Sequence, residues 1–405
     1  MPPSPPKRRT FDESRWISDS GSRKLTSTQH KMPMPSKSNP FPGIKLRSLE
    51  IENYKRLDSL KVNFPRPRMK DDPDVMILGS QNGGGKTSAL ECAGLLFLAI
   101  LTEGRLFRRM PDTGRFIDLA DLLIKSGKKA AKICGAFELD GEEHKARLTV
   151  TKDGETNVEG AEELRKRISR KMSLHRLNRD YSLDEALMSL LAFNSEPLIL
   201  PPFIHFNSYR KVQEGNPNLA AMVDEPMGRA RMMYSRTRYG PAVSAISAFK
   251  IEMLRSLLGG AELFEGFDKT DSGATVDFLN GLLKRYAGGS IEKLRPLPDN
   301  SLDFRVTTGN GASFAFDGLS SGQKEIVSTL FLIWRHSQRS PCIVLIDEPE
   351  LHLNAEWHAD FVERLKEYGP NNQYILATHS EQIFGCVGED RRALLVPNDL
   401  KSQSA

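Results

Sequence analysis

The chain has 405 residues and a mean hydropathy of −0.42, and its longest apolar run, Leu95–Leu101, is far short of the ~20 residues that span a bilayer. No transmembrane segment is expected, and the length allows two domains or one elaborated domain. The net charge of +5 lies wholly in residues 1–43, which hold eight basic and three acidic residues, so it says little about the folded body. Four cysteines (Cys92, Cys134, Cys342 and Cys386) form no pair at metal-ligand spacing, which points to buried free thiols in a reduced, cytoplasmic compartment.

Residues 1–43 are rich in Pro, Ser and Lys/Arg. Such composition offers too little apolar surface to offset the entropy of ordering, so a disordered tail is expected. It serves solubility or, through "KRR", contact with phosphate or nucleic acid. Order begins at Ile44, where "IKLRSLEIENY" and "LKVNF" read as paired strands. "VMIL" is a short buried strand, a glycine-rich loop follows, and "SALECAGLLFLAIL" is an apolar helix. "KICGAFELDGEEHKARLTVTKDGE" holds two strands turning on Asp140-Gly141.

From Glu159 to Leu191 the pattern is helical, with Leu164, Ile168 and Met172 at four-residue spacing, and a mixed region runs on to Leu294. "LDFRVTTGNGASFAF" is a hairpin turning on Gly309–Gly311. Then helix ("GQKEIVSTLFLIWRHS"), strand ("CIVLID"), helix ("EWHADFVERLKEY") and strand ("QYILATHS") alternate, as in a parallel sheet covered by helices.

Four segments carry chemistry. "ILGSQNGGGKTSAL", residues 77–90, lies between a buried strand and a helix, where backbone N–H groups and the helix start make an anion cradle. Its candidate nucleotide-binding residues are Gly79, Ser80, Gln81, Asn82, Gly83, Gly84, Gly85, Lys86, Thr87 and Ser88. Lys86 would reach the β- and γ-phosphates of ATP, and the Thr87 hydroxyl would take a Mg²⁺ position. The strict pattern has glycine where Ser80 stands; that position mainly needs a small residue.

The second segment, "CIVLIDEPE", ends a buried strand in carboxylates, with Asp347 placed for Mg²⁺ and Glu348 for polarising the attacking water. In "LSSGQKE", Ser320, Ser321, Gly322 and Gln323 open a helix, either as a second anion site or as a plain serine cap. "ATHS" puts His379 at another strand end, where a lone histidine is more often structural.

Taken in order, "NGGGKT", "LSSGQ", "IVLIDEPE" and "THS" resemble the ATPase head of the ABC-type superfamily. "IENYKRL" and "DEPELHL" resemble its RecF/SMC/OLD-like branch, which includes many prokaryotic anti-phage ATPases. The likeness covers residues 44–102 and 303–384. It implies an α/β P-loop NTPase with a mixed sheet, an N-terminal antiparallel β lobe and an inserted, mainly helical lobe. The head would comprise residues 44–158 and 295–405, with the insert at 159–294.

The resemblance also implies that two copies pair around two ATP molecules. Ser321 and Gly322 would meet the γ-phosphate held by the partner's Lys86, with Glu348 the catalytic base and His379 the γ-phosphate switch. For the family's metal-contacting glutamine the candidate is Gln213, an ordinary polar loop residue being the alternative. Two positions depart from the branch: Ser80 replaces a glycine, and Asn354 stands where His or Asp is frequent.

Two basic segments, 165–179 (Arg165, Lys166, Arg167, Arg170, Lys171, Arg176, Arg179) and 229–238 (Arg229, Arg231, Arg236, Arg238), are either nucleic-acid contacts or solvated faces. The 26 residues after His379 leave no room for the Toprim nuclease of OLD proteins, so an effector nuclease or toxin is expected in trans. The leading expectation is an ATPase whose dimerisation controls a nucleic-acid-directed or defence complex. A RecF-like repair ATPase, a nucleotide-gated scaffold with little turnover and a transporter subunit are the alternatives.

Overall fold

The computed structural model describes residues 43–69, 72–80, 83–106, 119–171, 183–217, 247–259, 272–298, 301–338 and 340–395. The expected tail, apart from Gly43, lies outside them, as do Gln81, Asn82 and the basic segment 229–238.

The chain opens with β1 (Lys45–Tyr54) and β2 (Leu57–Asn63), which pair antiparallel as the sequence predicts. Next come β3 (Asp74–Gly79), α1 (Lys86–Thr102) and a short α2 (Leu119–Leu123). Strands β4 (Ala130–Leu139) and β5 (Glu142–Thr151) meet at Asp140 and Gly141, whose φ values of 56° and 84° make the tight hairpin turn that Asp-Gly favours. With β6 (Thr156–Glu159) they complete an antiparallel sheet of order β2-β1-β4-β5-β6.

The helical stretch comprises α3 (Glu162–Lys171) and α4 (Leu183–Leu190). After β7 (Leu198–Leu200) and β8 (Phe203–Phe206) come α5 (Ala248–Gly259) and α6 (Ser272–Ala287). Then β9 (Gly289–Pro296), β10 (Leu302–Thr308) and β11 (Ser313–Ala315) form a small antiparallel sheet. The chain continues with α7 (Ser321–Ser337), β12 (Ile343–Asp347), α8 (Glu356–Tyr368), β13 (Gln373–Thr378), α9 (Glu381–Phe384) and β14 (Arg392–Leu394).

The central sheet has the order β14-β3-β13-β12-β8-β7, parallel except for β7. Strands β3, β12 and β13 are buried at every position, which is why they read as unbroken apolar runs rather than alternating ones. One boundary differs from expectation. Residues 198–206, placed within the inserted lobe, supply β7 and β8 of this sheet, because β8 pairs in parallel with β12.

Helix α1 is buried on all sides from Ala89 to Leu101. It touches β1, β4 and β5 of the antiparallel sheet and β8, β12 and β13 of the central one. A helix between two sheets has no polar face to keep, and the Phe97–Phe203 stack at 4.8 Å joins it to β8. A second apolar contact set, including the Phe278–Trp334 stack at 4.2 Å, binds α6 to α7. The architecture is thus the expected α/β one, a mixed central sheet with an antiparallel β lobe and a mainly helical insert.

Candidate functional site

Three neighbouring strands end level with one another. Thr378 of β13 sits opposite Gly79 of β3, and Ala377 sits opposite Asp347 of β12. The carboxyl ends of parallel strands are where open α/β sheets take ligands. From β3 the chain turns through Gly83 and Gly85, with φ of 82° and 90°, into α1. The N-cap is Gly85, which has no side chain to cap the helix, so the helix start offers N–H groups of the kind that bind phosphate. A Cβ on Gly84 would stand 2.4 Å from Ser80 Oγ, so the turn closes over Ser80 only because position 84 lacks a side chain.

Lys86 Nζ donates to the Ser80 carbonyl at 3.0 Å and to Ser80 Oγ at 2.8 Å, and lies 3.0 Å from His379 Nε2. Burial holds this ammonium below its ordinary pKa, while Asp347, Glu348 and Glu350 pull it back up. Ser80 therefore does more than stay small: its hydroxyl holds Lys86.

Thr87 Oγ1 donates to Asp347 Oδ2 at 2.8 Å. The other oxygen, Oδ1, is buried without a hydrogen-bond partner. Burial pushes the Asp347 carboxyl up to about 7, against the Thr87 hydrogen bond, and Glu348 adds to the rise. A bare buried carboxylate oxygen is costly, and a cation relieves it. A hydroxyl beside a carboxylate is the hard oxygen pair that Mg²⁺ takes together with phosphate and water. The residues fit a magnesium nucleotide.

Glu348 has a φ of 47°, a left-handed conformation that costs a residue with a Cβ about 1–2 kcal/mol. Its N–H donates to the Ala377 carbonyl at 2.7 Å, and its own carbonyl accepts from Leu351 N at 3.0 Å. The side chain is partly exposed, with Oε1 3.7 Å from His379 Nε2. Glu350 fixes the histidine turn by accepting from Thr378 Oγ1 at 2.7 Å and from His379 N at 2.6 Å.

The start of α7 is arranged differently. Ser320 Oγ accepts from Gln323 N at 3.3 Å and Gln323 Oε1 accepts from Ser320 N at 3.0 Å, a reciprocal capping box. Gln323 Nε2 also donates to the Tyr286 carbonyl at 2.9 Å. Ser321 is exposed, and a Cβ on Gly322 would stand 2.2 Å from the His352 carbonyl oxygen. Position 322 thus needs glycine for packing within its own chain, a reason the sequence reading did not contain.

Residues 81–384 match the family described as "AAA domain, putative AbiEii toxin, Type IV TA system". The chain belongs to this family. The chain is 33% identical over 92 residues to the retron Vc95 probable ATPase of Vibrio cholerae serotype O1 biovar El Tor, a stretch covering 20% of this chain and 18% of that protein. It is 22% identical over 366 residues to Septu protein PtuA of Bacillus mycoides strain KBAB4, covering 87% of this chain and 41% of that one. The chain therefore spans well under half the length of these curated relatives. Among solved structures, an SMC head bound to the C-winged helix domain of ScpA aligns with a TM-score of 0.47 at 16% identity, over 84% of this chain and 90% of that one.

Three features singled out in the sequence have local partners in this AAA-domain chain. The side-chain amide of Gln213 donates to Ser195 Oγ. It is turned to that hydroxyl and not to Thr87 or Asp347, as an ordinary polar loop residue would be. In the basic segment 165–179, Arg165 pairs with Glu103 and Arg167 pairs with Glu142 at 2.7 Å and Glu163 at 3.1 Å. These two charges serve the chain itself, which favours the solvated-face reading; residues 172–179 lie outside the described residues. Asn354 Oδ1 accepts from Glu356 N at 3.3 Å at the approach to α8, a local role.

Sequence reasoning missed Glu350 and Arg210. Glu350 was legible as the third acid of "DEPE". Arg210, buried beside β12, had one signal: a basic residue four positions past the apolar strand "FIHF".

Proposed function

We propose that the chain binds and hydrolyses ATP with Mg²⁺, and that ATP-dependent pairing of two copies controls a defence complex whose effector nuclease or toxin is another protein. The observation that carries this reading is the convergence of three strand ends. Together they bring Lys86, the Thr87–Asp347 pair, Glu348 and His379 into one cluster behind an uncapped helix start. The names of the retron and Septu relatives support the defence setting.

In this reading the phosphates lie against the N–H groups of Gly83 to Ser88, and Lys86 leaves Ser80 to meet them. Bound Mg²⁺ would be held by Thr87 and Asp347 and would neutralise charge on the phosphate oxygens. Glu348 orients and deprotonates the attacking water, and His379 meets the terminal phosphate from the opposite strand end. Ser321 and the outward N–H groups of α7 face the nucleotide of the second copy. Steady-state hydrolysis by the full chain, with a fluorescent ATP analogue to report binding, tests the reading. Glu348→Gln should bind nucleotide and fail to turn it over; full turnover by that variant would overturn the assignment.

A further inference from the structure

The acidic strand end is held by a group outside the four motifs. Arg210 is buried, in the loop that follows β8. Its Nη1 donates to the carbonyls of Asn207 at 3.0 Å and Asp347 at 2.5 Å, and its Nη2 donates to the carbonyl of Glu348 at 2.9 Å. The peptide groups on both sides of the Glu348 Cα are therefore gripped by one guanidinium. These two peptide planes define φ and ψ at Glu348, the residue in left-handed backbone, and so define where its carboxylate points.

The same Nη2 lies 2.5 Å from Glu325 Oε1, on the second turn of α7. That helix also abuts the following turn, where Gly322 meets the His352 carbonyl. The loop bearing Arg210 is tied to the same region, since Lys250 Nζ donates to the Gly215 carbonyl at 2.7 Å and Gly215 N donates to Asp317 at 3.0 Å. Stability is a poor rationale for the pair. A buried ion pair often gains nothing over apolar residues of equal volume, and here Arg210 Nε lacks a hydrogen-bond partner.

We propose that Arg210 is a positioning residue that sets the backbone of Glu348 and, through Glu325, makes that setting depend on the position of α7. The start of α7 is the surface offered to the second copy, so docking there reaches Glu348 through one ion pair. The inference rests on the ATPase reading. A planar fork with several donors is what lets one side chain hold three carbonyls and a carboxylate; lysine, with three donors on one nitrogen, cannot hold all four.

The test is ATP hydrolysis by the full chain with Arg210→Gln, Arg210→Lys, Glu325→Gln and the double variant Arg210→Lys/Glu325→Gln, read as kcat and KM separately. Arg210→Gln should lower kcat by about 30-fold or more with KM for ATP changed less than about threefold. Arg210→Lys should recover only part of the loss, and Glu325→Gln should lower kcat by about fivefold. The double variant should be no slower than Arg210→Lys alone, because both changes cut one connection. Wild-type kcat in Arg210→Lys and Glu325→Gln, or losses that multiply in the double variant, would overturn the proposal even if Arg210→Gln failed to fold. A wild-type chain that binds but does not hydrolyse ATP would remove the ATPase reading and this inference with it.

Discussion

The starts of α1 and α7 both present N–H groups, yet the chain treats them in opposite ways. At α1 no side chain caps the helix, Lys86 rests on Ser80, and the neighbouring Asp347 Oδ1 has no partner. At α7 a complete capping box satisfies Ser320 and Gln323, and Gly322 packs against the chain's own His352 carbonyl. The first is a half-site whose polar groups need a ligand; the second is a capped surface with Ser321 exposed. A phosphate loop can be poised to bind alone, whereas the α7 surface acquires a role only when something docks on it.

The largest effects should fall on the α1 side. Lys86→Ala should abolish measurable nucleotide binding, and Glu348→Gln should lower kcat by about a thousandfold while retaining binding. Equal impairment of binding by both would blur the distinction between holding phosphate and activating water. On the α7 side, Ser321→Arg should leave nucleotide affinity unchanged and remove ATP-dependent dimers from light scattering. If it weakened binding to the isolated monomer, the two helix starts would not be separate half-sites.

Stability effects come next. Gly322→Ala must displace a backbone carbonyl and should lower stability by about 1–3 kcal/mol in a denaturant titration. Ser320→Ala, which loses the cap, should cost about 1 kcal/mol. A neutral Gly322→Ala would contradict the close approach of α7 to residue 352.

The smallest effect concerns acid. Burial, with Arg210 adding to it, holds the His205 imidazole down from 6.5 to about 3. The folded chain then binds fewer protons than the unfolded one in that window. Stability is therefore complete above 6.5 and declines as pH falls toward 3. His205→Leu should flatten that acid limb in pH-dependent unfolding.

Most of the fold was legible because each strand and helix carries its own period. The uniform burial of β3, β12 and β13 appears as unbroken apolar runs, and Asp140-Gly141 announces its hairpin. The α1 half of the site was legible for the same reason: phosphate binding is a local property of strand, loop and helix. What was illegible depends on contacts between residues far apart in sequence. Arg210 meets Asp347 and Glu348 across 137 and 138 positions, and its one local signal, a basic residue past "FIHF", does not point to them. The place of Leu198–Phe206 in the central sheet was hidden likewise, since pairing with β12 is a tertiary fact.

Complementation between two inactive variants tests the central claim most directly. Lys86→Ala lacks the nucleotide half of each composite site and keeps Ser321; Ser321→Arg lacks the docking half and keeps Lys86. A mixed dimer of the two restores one intact site by symmetry. Mixing the purified variants should therefore recover ATP hydrolysis that neither shows alone. Mixtures that stay inactive, although light scattering shows that mixed dimers form, would contradict a site shared between two copies.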